Sequence, residues 1–347
     1  MKKKGGSKMK KLLIFLAVVV ASALVISGYS VQALAQKKPV ELTMVIFLPD
    51  IPPGNFWSHM FMDKVKAISK GELVIKLIGG PEAIPMPDAP AAAQRGSVDI
   101  ANAIFAFSDT LAPGTDALAR AEYAPAELRK NGGLEFIQKL FAKSGIYFLG
   151  AASPSEPQVQ QAFFFKKVIS KIDDIKGMKI ASVGGSNRAF IEGLGAVCVP
   201  IGFTDYFTAM ERGTVNGYNV GVPGIQDFGL TPVTGCILDE LVASNGAGWL
   251  VNMKKWDSLP QNLKDVLTQA AIETEIDGVR GWNNIVAKVK QEISAAGVKI
   301  VKFSHEDSIK FYRTFRETMA ADDLKRHPEN VAQLQKFTLN PNFYRLK

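Results

Sequence analysis

Three histidines, His59, His305 and His327, are all the chain offers for imidazole chemistry, and none lies beside a nucleophile in a recognisable catalytic pattern. No serine elbow, phosphate-binding loop or metal-binding helix motif occurs. The GGSN run at Gly184 lacks the lysine and spacing of a P-loop. Cys198 and Cys236 have no histidine nearby, so a metal site is not expected. Cys198 fits a buried free thiol in an apolar run, and an oxidising compartment would also permit a bridge between the two. The expectation is therefore a protein without catalytic residues, metal or cofactor. Binding asks for other groups. The loop 181–187, ending in Ser186 and Asn187, follows a strand and opens a helix, so its backbone N–H groups and the positive helix terminus could face an anion. A glycine-rich connector that contacts nothing is the other reading. Tyr218, Asn219 and Trp249 offer stacking and neutral hydrogen bonds, and Phe47, Phe105 and Phe203 offer apolar walls. Taken singly, each aromatic also fits plain core packing.

These groups need a frame. Residues 174–219 read as strand, glycine turn, helix, strand and a second helix ending at Gly213, an alternation that implies a parallel sheet with ligand-facing loops at the strand ends. Upstream, 41–48 reads as a first strand and 55–70 as a helix, with Trp57, Phe61, Val65 and Ile68 at helical spacing, Asn55 as cap and Gly71 as stop. Leu73, Ile75 and Leu77 alternate as a second strand, and 98–104 forms a third after a turn at Gly96, where Asp99 reads as a turn residue. The loop 105–125 is of the kind in which parallel sheets meet ligands. A helix over 131–144 and a strand over 146–149 follow, and the prolines of 153–157 suggest a crossing into a second lobe. Apolar residues stepping by threes and fours predict one helix over 261–296, about 54 Å long at the standard rise, with Gly278 and Gly281 as candidate bends. Ser304 and Asp307 then cap an amphipathic helix running through Met319.

The first eleven residues carry six lysines, followed by an apolar run over 12–26 and Ala33-Leu34-Ala35. That pattern is a secretory leader, placing the mature start near Gln36. The run is shorter than the ~20 residues of a spanning helix, and membrane insertion of the mature chain is not expected. Setting the six lysines aside takes the formal net charge from +8 to +2. A nucleic-acid or membrane-surface partner is therefore not implied. Residues 36–347 exceed what one core usually spans, which favours two domains.

KGMKI at Lys176, LGA at Leu194 and ERGTVNG at Glu211, with GSVDIA at Gly96 and WDSLP at Trp256, resemble stretches of the solute-binding proteins of tripartite ATP-independent periplasmic (TRAP) transporters, the DctP-like family. The resemblance runs from about Val40 to Val301. It implies an α/β, two-lobe periplasmic binding protein, type II-like, with a central cleft and a long helix spanning both lobes. The implied plan is a signal peptide at 1–35, a first lobe at 36–157 with 248–285 returning to it, and a second lobe at 158–247 with 286–347 packing on it and on the spine. It further implies a periplasmic receptor that closes over a small organic solute and presents it to TRAP membrane permease subunits, making and breaking no bond in the ligand. A binding module reporting to a membrane sensor, or a periplasmic enzyme, are the alternatives, distinguished by partner and by turnover.

The chain departs from that family at a telling place. Most relatives follow the lysine-isoleucine pair with an arginine that grips the ligand's carboxylate, and this chain has Ala181. A guanidinium supplies two parallel charge-assisted hydrogen bonds and alanine supplies none. Arg188 is the leading replacement and Arg120 the second. Val220 stands where many relatives place a ligand-contacting asparagine. The resemblance, so modified, implies a monocarboxylate or a less polar aromatic or aliphatic analogue rather than a dicarboxylate.

Overall fold

Leu42 and Met44 turn inward along β1 (Val40–Val45), and the chain then enters α1 (Phe56–Ile68), whose Trp57, Phe61 and Val65 share one buried face. The computed structural model describes residues 38–52, 55–151, 161–183, 187–242 and 246–341. The expected leader, the crossing at 153–157 and Ser186 lie outside the described residues. After α1 come β2 (Leu73–Gly79), α2 (Ala89–Arg95), β3 (Ile100–Ile104), α3 (Pro125–Lys130), α4 (Gly133–Ala142), β4 (Ile146–Ala151) and β5 (Gln161–Phe165). There follow β6 (Lys179–Ser182), α5 (Arg188–Gly193), β7 (Val197–Pro200), α6 (Tyr206–Glu211), β8 (Gly217–Gly221), α7 (Gly224–Asp227), β9 (Cys236–Val242) and β10 (Ala247–Asn252). The chain closes with α8 (Met253–Ser258), α9 (Gln261–Ala295), β11 (Lys299–Val301), α10 (His305–Arg326) and α11 (Pro328–Thr338).

The strands form two sheets, ordered β2-β1-β3-β10-β4 and β11-β9-β5-β8-β6-β7. The β6–α5–β7–α6–β8 unit is parallel throughout, as its alternation requires. The sheets as wholes are mixed. β10 runs antiparallel to both β3 and β4, and β5 antiparallel to both β8 and β9. These strands arrive from the other sheet rather than through a crossover helix within their own, so the rule that makes βαβ neighbours parallel does not bind them.

α9 ties the sheets together. Its Leu267, Ala270, Ala271 and Glu275 are buried toward β4, while Trp282, Val286, Val289 and Ile293 belong to the core of the second sheet. The helix passes through Gly278 and Gly281 without a break. They are there for proximity. A Cβ on Gly278 would lie 1.7 Å from Cζ3 of Trp57, and one on Gly281 2.3 Å from Cζ of Phe56. Only hydrogen side chains let α1 approach α9 this closely.

The C-terminal helices also depart from expectation. Ser304 Oγ does accept from the amide of Asp307, and α10 begins there, but it continues to Arg326. Its Phe311 and Phe315 pack on Phe190 beside the second sheet. α11 instead sends Val331 and Leu334 into the core of the first sheet. Residues 328–338 therefore pack on the opposite side from the one expected for 286–347, because the apolar face of α11 meets the buried residues 115–120 and α4. The joint is pinned by Glu122, which accepts from the amide of Asn340 and pairs with Arg316 Nε at 2.9 Å. Burial pushes the Glu122 carboxyl up to about 7, against the opposing pull of Asn340 and Arg316. The folded protein thus holds this proton more firmly than the unfolded chain, whose value is near 4.5. The contribution is complete below that value and is lost as pH rises through about 7. Melting temperature is expected to decline between pH 5 and pH 8, and in Glu122→Gln that part of the decline disappears.

Cys198 and Cys236 are both free and buried. They sit on β7 and β9, with three strands between, about 19 Å at ordinary strand spacing and far beyond disulfide reach. Thiol titration is expected to find both groups only after denaturation, with melting unchanged by reductant.

Candidate functional site

Side chains alternate across β6, so Ala181 and Val183 face one side of the second sheet while Ile180 and Ser182 face the other. On the Ala181 side a single buried cluster contains Val183, Val220, Phe203, Tyr206 and Tyr218 from the second sheet and its helices, Trp282 from α9, and Trp57 from α1. Trp57 and Trp282 lie 6.3 Å apart, ring to ring. The two positions where an arginine and an asparagine would be customary, Ala181 and Val220, are both inside this apolar cluster.

The sequence-expected residues fall into distinct places. Tyr218 is a core residue: its ring stacks on Phe164 at 4.9 Å and its hydroxyl pairs with Thr234 Oγ1 at 2.7 Å, with burial driving the phenol well above its ordinary range. Phe203 stacks on Phe228 at 5.2 Å. Phe105 belongs to the core of the first sheet, against Phe148 and below Gly248. Phe47 is half-buried just past β1. Asn219 points to the opposite face from Tyr218, where its amide nitrogen donates to Gln161 Oε1. Asn187, fully buried, stands at the entrance to α5. Trp249 is fully buried beneath α1, its ring 4.4 Å from Phe61.

Both arginines offered as replacements are paired within the protein. Arg188 is half-exposed and pairs with Glu192 one turn along α5 at 3.2 Å. α5 packs on the face of Ile180 and Phe163, opposite Ala181. Arg120 is buried in an ion-pair network: Nε donates to Asp323 at 2.7 Å and Nη2 reaches both Asp323 and Asp116, while Nη1 has no partner among the described residues. The loop expected to meet a ligand, 105–125, carries two short tight helices, Phe105–Phe107 and Thr115–Arg120, and packs Phe105, Ala117 and Leu118 into the first core. Its buried charges are met by α10, 203 residues away in sequence.

The groups that sequence reasoning missed are Trp57, Trp282 and Asn102. Asn102 lies in β3 directly opposite Trp249, and its amide nitrogen donates to Ser58 Oγ at 2.6 Å. An asparagine in an otherwise apolar strand was the available signal. The indole Nε1–H of Trp57, Trp249 and Trp282 and the Oδ1 of Asn102 are buried without a hydrogen-bond partner among the described residues. A groove of about 760 Å³ opens along α1 and α9, lined by Asn55, Phe56, His59, Lys64 and Ile285 among others; none of the three tryptophans lines it. Asp50 pairs with His59 of this groove at 2.7 Å and accepts from Asn55; chiefly the His59 contact holds its carboxyl below the usual range. Among the described residues no three metal-ligating side chains come together, and no helix is long and apolar enough to cross a membrane.

The model of bacterial extracellular solute-binding protein family 7, DctP, matches residues 52–322. The chain is similar to a monocarboxylate 2-oxoacid-binding periplasmic protein of Nostoc, 24% identical over 265 residues, 70% of this chain and 68% of that one. In structure it is similar to a TRAP periplasmic solute-binding protein of Desulfovibrio salexigens with bound orotic acid, with a TM-score of 0.76 at 19% identity over 88% of this chain and 99% of that one. It is likewise similar to DctP7 of Bordetella pertussis, a receptor binding pyroglutamic acid, with a TM-score of 0.71 at 17% identity over 86% and 99%. Two mixed sheets joined by one long helix, the shared fold and a family match across most of the sequence lead to one conclusion: this chain belongs to the DctP family of extracellular solute-binding proteins and has the two-lobed TRAP receptor fold.

Proposed function

We propose that the protein is the periplasmic receptor of a TRAP transporter for a small organic solute carrying at most one negative charge. The solute is captured between the two sheets and delivered to membrane permease subunits without chemical change. One observation carries the charge limit: Ala181 and Val220 are buried in an apolar cluster, while Arg120 and Arg188 are committed elsewhere. A dianion would enter a site with no guanidinium to answer it, and an unpaired buried charge is strongly unfavourable. The ligands named for the relatives, orotic acid, pyroglutamic acid and a monocarboxylate 2-oxoacid, each carry one carboxylate. Closure follows from differential affinity: contacts to both lobes favour the closed form. Export would use the leader ending near Ala35, giving a periplasmic form beginning near Gln36.

Calorimetry with monocarboxylates, their neutral amides and dicarboxylates tests the reading. At least one monocarboxylate or amide is expected to bind about tenfold or more tightly than any dicarboxylate, a difference of about 1.4 kcal/mol. Tight succinate binding that survives Arg188→Ala and Arg120→Ala would refute the charge limit.

A further inference from the structure

The buried face of α1 gathers donors that find no partner among the described residues. Trp57 and Trp282 are 4% and 9% exposed, Trp249 is fully buried, and none of their indole N–H groups has an acceptor among the described residues. An indole nitrogen can only donate, so no alternative proton placement relieves it. Leaving a buried donor unanswered costs on the order of 1–3 kcal/mol, and native interiors hold few such groups. Three of the chain's four tryptophans share this condition around a single helix. Asn102 Oδ1, one strand from Trp249 and bonded through its nitrogen to Ser58, adds an acceptor to the set. The fourth, Trp256, stacks on Tyr147 at 3.8 Å, apart from the cluster.

Resting on the receptor reading above, we infer that these indoles replace the customary cation as the ligand's grip. The solute class is a flat aromatic or heteroaromatic acid or amide, its oxygens accepting from Trp57 and Trp282. Two features favour this class. Indole donors are neutral, so they answer a carbonyl or a single carboxylate without supplying the charge a dianion needs. The walls are aromatic: Phe56 meets Trp57 edge-on at 5.9 Å and Trp282 lies beyond it, a setting that rewards a flat π-face. An N–H or O–H on the ligand would find Asn102 Oδ1.

The test labels the indole nitrogens of the full mature protein with ¹⁵N and titrates benzoate, benzamide, cyclohexanecarboxylate and succinate, with Trp256 as internal control. Benzoate or benzamide is expected to shift the Nε1–H resonances of Trp57 and Trp282, assigned with Trp57→Phe and Trp282→Phe, while Trp256 stays in place. Trp282→Phe keeps the ring face and loses the donor, so benzoate affinity should fall about threefold to tenfold. If the variants do not fold, the shifts in the unsubstituted protein decide the question. Benzoate binding with unmoved indoles, no binding of either aromatic probe, or cyclohexanecarboxylate binding as well as benzoate each overturns the inference and leaves the receptor reading standing. Succinate binding more tightly than every monovalent or neutral probe overturns both.

Discussion

Arg120→Ala should cost the protein about 3–5 kcal/mol of folding stability, the range for removing one partner from a buried ion pair. Arg120 is 7% exposed and sits between two buried carboxylates, Asp116 and Asp323. Arg326, 36% exposed at its side chain, reaches both acids from the surface side, at 2.8 Å and 2.5 Å. With both guanidinium groups present, Asp116 is held below the usual carboxylate range despite its burial. Truncation leaves two desolvated carboxylates sharing one half-exposed arginine. Solvent screening offers little relief, since Asp116 and Asp323 are nearly inaccessible. The network joins residues 115–120 to α10, so its loss should loosen the C-terminal helices from the first sheet. Urea denaturation at pH 7 measures the change, and ligand calorimetry on the same variant separates the roles. A variant that keeps its stability within about 1 kcal/mol yet loses ligand binding would show that Arg120 grips the solute, contrary to the buried network.

The second large effect is expected at Gly278. In an exposed helix interior, Gly→Ala gains about 1 kcal/mol of helix propensity. Here the new methyl would fall 1.7 Å from Trp57 Cζ3, with Cε3 and Cη2 at 2.3 and 2.4 Å. The obstacle is a rigid indole packed against Trp282, not the end of a flexible chain. Overpacking of this kind costs about 1–3 kcal/mol or more, so the clash outweighs the propensity gain. Trp57→Ala alone should cost about 3–5 kcal/mol through the cavity it leaves. In the double variant the alanine methyl occupies part of that cavity, so the combined loss should fall short of the sum by about 0.5–3 kcal/mol. Strict additivity in a denaturation cycle would mean that α1 and α9 do not meet at this point.

Both effects come from contacts between residues that lie far apart in the chain, and the same distinction separates what could be read early from what could not. The β6–α5–β7–α6–β8 unit was legible because strand and helix periods and glycine turns are encoded over a few residues. The long helix was legible for the same reason, as was its cap-bounded successor α10, although the end of α10 was set too early. The absence of an arginine at Ala181 was visible in one motif. Its consequence was not: the two arginines offered as substitutes were taken by Asp323, 203 positions from Arg120, and by Glu192 on the far side of the sheet.

The sequence by itself determined the local elements, the family resemblance and the alanine at position 181, since each rests on short-range pattern. The tertiary structure alone decided that β10 inserts antiparallel into the first sheet and that α11 returns to that sheet. It also decided that Gly278 permits the close approach of α1 and that three indoles gather around α1 with donors unanswered among the described residues. The physical reason is common to all four. Strand partners, buried charge pairs and packing neighbours are chosen by which desolvated surfaces and polar groups can satisfy one another in space, and that choice carries no periodicity along the chain.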